Sequence, residues 1–179
     1  GINMKPYQLA RHAIENYVKE KNVPEPPTIL DGVEIEKAGT FVSIKTKDNL
    51  LRGCIGTIEP QNDCVKQEII NNAIKAATKD PRFVEVQESE LDNLMYSVDV
   101  LHKAEKVTSF DQLNPADYGI IINAKDGKQA LLLPNLQGID TVEKQVTTCM
   151  QKADISPGEQ VSIQRFKVDR FSEDDLDTD

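Results

Sequence analysis

Apolar residues recur at helical spacing in three stretches of the chain. In PYQLARHAIENYVKEKN, Leu9, Ala10, Ala13, Ile14, Tyr17 and Val18 share one stripe, which predicts an amphipathic helix closed by the proline-rich VPEPPTILDG. A second stripe of Val65, Ile69, Ile70, Ala73, Ile74 and Ala77 predicts a helix capped by Asn62 or Asp63. It stops at KDPRF, because the residue before a proline leaves helical space. The third helix runs from about Thr141 to Ala153, with Val142, Val146, Cys149, Met150 and Ala153 turned inward.

Between these helices the pattern shortens to strands. AGTFVSIKT and LLRGCIGTI read as a hairpin around KDN, and LMYSVDVLHKAEKV reads as one long strand with Tyr96, Val98 and Val100 on one side. YGIIINAKDGKQALLLP is a hairpin turning at Asp126-Gly127, and VSIQRFKVDRF is a last strand. Helices alternating with hairpins imply an α+β domain of mostly antiparallel sheet flanked by helices, spanning 1–172. The remaining 173–179 is an acidic tail too poor in apolar residues to pack.

Composition narrows the function classes. The chain has 179 residues with a net charge of −9, which disfavours phosphate-backbone binding. The longest apolar runs are strand-sized, so no membrane span is expected. Three unevenly spaced cysteines, Cys54, Cys64 and Cys149, suit reduced thiols in the cytoplasm rather than a disulfide framework. Neither histidine, His12 or His102, belongs to a metal-ligand spacing, and no glycine-rich phosphate loop or dinucleotide fingerprint is present. No cofactor or metal is therefore expected.

The chemistry concentrates in NLLRGCIGTIEP. Alternation in a strand puts Arg52 and Cys54 on one face, with Gly56 leaving space beside them. A guanidinium near a thiol favours the thiolate, and Gly53 and Gly56 would let another backbone or a small ligand approach closely. Cys54 is then a candidate nucleophile at a glycine-floored groove. In the competing structural reading, Cys54 fills core as a small apolar residue while the glycines permit a bulge. Asp80 and Arg82 in KDPRF are the second candidate. They form either a local ion pair fixing the turn after the helix or the rim of the Arg52–Cys54 site. Cys64 reads as a first-turn helix residue and Cys149 as core.

LRGCIGTIEP, AIKAATKDPRF, YGIIINAKDGKQALLLP and CMQKADIS occur in this order, and together they resemble the AMMECR domain family, called AmmeMemoRadiSam system protein A in prokaryotes. The resemblance spans nearly the whole chain. It implies two unequal subdomains, the larger holding both chain ends and the smaller a middle segment. Leu51, Arg52, Gly53, Cys54, Ile55 and Gly56 match the signature run of the family, and Asp80, Pro81, Arg82 and Phe83 match its second block. The implied partners are a Memo-type protein and a radical-SAM enzyme; no reaction is implied. Asp154 stands where the family has a helix-ending glycine.

Two functions follow. One is a small-molecule or protein-binding component acting with those partners through the LRGCIG strand, with Arg52, Gly53, Gly56, Asp80 and Arg82 as binding residues. The other is an enzyme component in which Cys54 is a nucleophile or covalent carrier, with Arg52 activating the thiol and binding an anionic group.

Overall fold

The computed structural model describes residues 2–173. In chain order its elements begin with β1 (Asn3–Met4), α1 (Pro6–Glu20), β2 (Ile29–Leu30), β3 (Thr40–Thr46), β4 (Leu51–Gly56), α2 (Val65–Thr78) and β5 (Leu94–Leu101). They continue with β6 (Glu105–Val107), β7 (Gly119–Ala124), β8 (Gln129–Leu132), α3 (Val142–Lys152), β9 (Val161–Phe166) and β10 (Val168–Ser172). Two compact units result, one from the chain up to Leu101 together with the stretch from Asp169, the other from His102–Val168. The α+β class with mostly antiparallel strand pairing matches the pattern of the sequence, the short β1–β2 pair being parallel.

The first unit contains a four-stranded sheet ordered β10-β5-β3-β4, so β4 is an edge strand. Strict alternation along β3 sends Val42 and Ile44 to one face, where they meet Tyr96, Val98 and Val100 of β5 in the core. Leu9, Ala10, Ala13 and Ile14 of α1 and Ile69, Ile70, Ala73 and Ala77 of α2 cover that face, so both helical stripes are the core-facing ones. Phe41, Ser43 and the paired Cys54 consequently occupy the opposite face. The expected alternation from Cys54 back to Arg52 is interrupted: the register slips there, Gly53 lying opposite Ile44 and Leu51 opposite Lys45, so Arg52 is the extra residue of a bulge. Pro6 opens α1, where a missing N–H costs nothing. Lys21 closes it in the left-handed conformation (φ 58°), before the first proline is reached.

The cap of α2 differs from expectation. Cys64 holds the cap position, with no side-chain capping bond. Asn62 is already committed, donating from its backbone and amide to Glu68 (2.9 and 3.0 Å) and accepting from Asn71 (2.7 Å). The buried Glu68 also takes the Thr57 hydroxyl (2.7 Å) and the Gln61 N–H (2.9 Å), tying the loop after β4 to the first turn of α2.

The second unit is a sheet ordered β6-β9-β7-β8, all antiparallel, with α3 against β7 and β8. Ile120, Ile122, Ala130, Leu132, Cys149 and Ile163 form its core. Asp154 takes the left-handed conformation (φ 57°) expected where the family has glycine. Two long expected strands are each broken. LMYSVDVLHKAEKV divides into β5 and β6, and VSIQRFKVDRF into β9 and β10, because at both places the chain leaves one sheet for the other. Of the acidic tail, residues 174–179 lie outside the described residues, while the Glu173 carboxylate pairs with Arg11. Among the described residues no helix is long and apolar enough to cross a membrane.

Candidate functional site

Edge position decides the surroundings of Cys54. In the register of β3 and β4, Cys54 lies opposite Ser43, and its sulfur sits 3.3 Å from the Ser43 hydroxyl oxygen. The Cys54 N–H turns away from β3 and donates to the Asp80 carboxylate (2.9 Å), while its carbonyl accepts from Arg82 Nη2 (3.4 Å). Asp80 follows the end of α2 at the negative pole of that helix, where a carboxylate needs compensation. It receives the backbone N–H of Arg82 (3.1 Å), Arg82 Nε (3.0 Å) and Arg82 Nη2 (2.8 Å) besides the strand N–H. The KDPRF segment is thus both a local ion pair and a neighbour of the thiol.

The charges are tuned accordingly. The guanidinium of Arg82 bonded to the carboxyl of Asp80 outweighs the opposing effect of burial, and with help from the Cys54 N–H it holds that carboxyl at about 2. Arg82 is raised from its ordinary value, first by Asp80, with Cys54 contributing through its charge. Arg82 is therefore a cation electrostatically coupled to the thiol. Arg52 was expected in that role, but its Nε and Nη2 grip the two oxygens of Glu90 (2.7 and 3.1 Å). That pair holds the Glu90 carboxyl below its ordinary range. Phe83 joins the two pairs, since its ring centre lies 5.9 Å from the Arg52 guanidinium carbon and 5.4 Å from that of Arg82.

The glycines need correction as ligand-binding positions. A Cβ on Gly53 would overlap the Ala76 carbonyl oxygen of α2, so this glycine admits a helix backbone against the core face of the sheet. A Cβ on Gly56 would overlap the ring of Phe41, its partner across the strands. Both spaces are filled by the chain itself. Of the two occupants that Gly53 could admit, another backbone or a ligand, the backbone of α2 is the one present.

Two contributors escaped the sequence reading. Ser43 needed the strand register, which alternation alone does not supply. Glu90 lies in a short 3-10 turn, Glu88–Asn93, and its only local signal is the spacing from Gln87, whose N–H it accepts (2.8 Å). Cys149 is fully buried as expected, and burial pushes its thiol up to about 11. Cys64 lines a separate cavity of about 270 Å³ with Ile29, Leu30, Val33 and Val65. His12 lies on α1 against the amide of Asn16 (3.1 Å). Among the described residues no three His, Cys, Asp or Glu side chains are grouped to hold a metal ion.

The AMMECR1 family model matches residues 7–174. The chain belongs to the AMMECR1 family. A relative from Thermotoga maritima is 41% identical over 173 residues, covering 95% of this chain and 99% of its own. One from Clostridium acetobutylicum is 43% identical over 171 residues; these are 94% of this chain and 36% of that relative, so the chain spans about a third of its length. The crystal structure of an uncharacterized protein from Pyrococcus horikoshii has a TM-score of 0.84 at 30% identity, covering 94% of this chain and 89% of that one. All these likenesses span the strand and the turn that meet at Cys54.

Proposed function

We propose that this chain is a cytoplasmic binding component that works with a Memo-type protein and a radical-SAM enzyme. Its contact surface in this reading is β4 together with Asp80–Phe83. One observation carries the preference for binding over acid–base catalysis: the carboxylate nearest Cys54 is held at about 2 by Arg82 and the Cys54 N–H. Such a group stays ionised at neutral pH and is a weak proton acceptor there, since an effective general base titrates near the working pH. The charged groups around the strand are engaged with one another, which suits a rigid, pre-shaped surface.

A second reading draws on the coupling of Arg82 to Cys54: the thiol as nucleophile or covalent carrier, with Arg82 rather than Arg52 favouring the thiolate. Co-purification separates the two. A tagged chain co-expressed with both partners should retain them after Cys54→Ser and lose them after Arg82→Ala. Undiminished capture by a folded Arg82→Ala protein would remove the binding reading. Capture that instead depends on Cys54 would favour the carrier.

A further inference from the structure

Both arginines around Phe83 are held in the same manner. Glu90 takes Nε and Nη2 of Arg52, and Asp80 takes Nε and Nη2 of Arg82. The second hydrogen of Arg82 Nη2 turns to the Cys54 carbonyl. Nη1 of each guanidinium is left without a hydrogen-bond partner among the described residues. Side-chain exposure is 13% for Arg52 and 55% for Arg82, so the second head is open to solvent and the first mostly covered.

We propose that Nη1 of Arg82, beside the Phe83 ring and the Cys54 backbone, together with Nη1 of Arg52, whose guanidinium also lies against Phe83, receives the oxyanion group of a small organic ligand. This rests on reading the β4 surface as a binding site and names the chemistry that the site selects. Guanidinium nitrogens donate and never accept, so whatever faces them must present acceptor oxygens. The carboxylates that orient them are already bonded along the inner edge and do not compete for the outer one. Because each head is locked by a two-point pair, little side-chain freedom is lost when a ligand arrives. Phe83 supplies an apolar wall for the rest of the ligand. Each arginine–carboxylate pair is neutral and the whole chain carries −9, so the affinity of the anion alone is modest.

The probes are inorganic phosphate and acetate, titrated into the intact chain at fixed ionic strength with sodium chloride as reference. The readout is the NMR signals of 15N-arginine side chains and of the Phe83 ring. Saturable shifts at Arg52, Arg82 and Phe83, with a Kd below about 10 mM for at least one probe, are expected. Preference for phosphate or acetate tells a tetrahedral from a planar group. Arg82→Gln should weaken binding by about tenfold, and Lys128→Gln, on the turn of the β7–β8 hairpin, should not. Arg82→Lys serves as a second variant if the glutamine form is unstable. Shifts that fail to saturate, or that chloride reproduces, overturn the proposal. Partner capture lost while phosphate or acetate still saturates Arg52 and Arg82 would sink the partner reading alone; capture intact without such saturation would sink the anion receptor alone.

Discussion

Cys54 and Cys149 each lie at a four-stranded sheet, one in each unit, and share almost nothing else. Cys149 is walled by aliphatic neighbours on α3 and the strands beneath it, and burial drives its thiol up to about 11. Cys54 sits half-buried on an edge strand, where a hydroxyl, a carboxylate and a guanidinium meet it or its backbone. The same residue type becomes inert filling in one place and part of a polar cluster in the other. Which of these occurs depends on strand order, because only an edge strand leaves its outward N–H and C=O for side chains to take.

The widest separation should appear in alkylation. With iodoacetamide and mass spectrometry on the folded chain, Cys54 should react at least ~1,000-fold faster than Cys149, whose exposure requires opening the core of its unit. Comparable rates would dissolve the contrast. Next in size is the helix–sheet contact of the first unit. Gly53→Ala forces a Cβ onto the Ala76 carbonyl, and should cost about 3 kcal/mol in urea unfolding. Gly158→Ala in the second unit meets open space and should stay within about 0.5 kcal/mol of wild type. A well-tolerated Gly53→Ala would mean that α2 does not press on the strand.

The smallest effect concerns acid. The carboxyl of Asp80 falls from an ordinary 3.8 to about 2 on folding, so its contribution is fully present above pH 4 and disappears as pH drops through 2. That contribution is about 2 kcal/mol, and Asp80→Asn should flatten the stability profile across this window. Asp126 in the second unit is also lowered, by the N–H and ammonium of Lys128, but it lies in solvent. Asp126→Asn should leave the profile unchanged, which tests whether burial distinguishes the two carboxylates.

Much of the architecture was legible because it rests on local periodicity. The stripes of α1, α2 and α3 and the Asp126-Gly127 hairpin needed only spacing and turn chemistry. The crossings after Leu101 and Phe166 were hidden, since no glycine or proline marks either place where the chain changes sheets. At the site, Arg52, Cys54, Asp80 and Arg82 were visible as residue types. Their pairing was not, because it depends on β4 being outermost and on Glu90 arriving from 38 positions away. The glycines were read for what they leave empty, and the fold fills that space with the Ala76 backbone and Phe41.

One consequence of the Asp80 and Arg82 contacts reaches beyond any ligand. An open sheet border is a template on which a second molecule can lay its own strand and begin a fibre. At Cys54 that border is stoppered on both its donor and its acceptor by side chains of opposite charge. The groups that give the thiol its polar neighbourhood therefore also guard the protein against stacking upon itself.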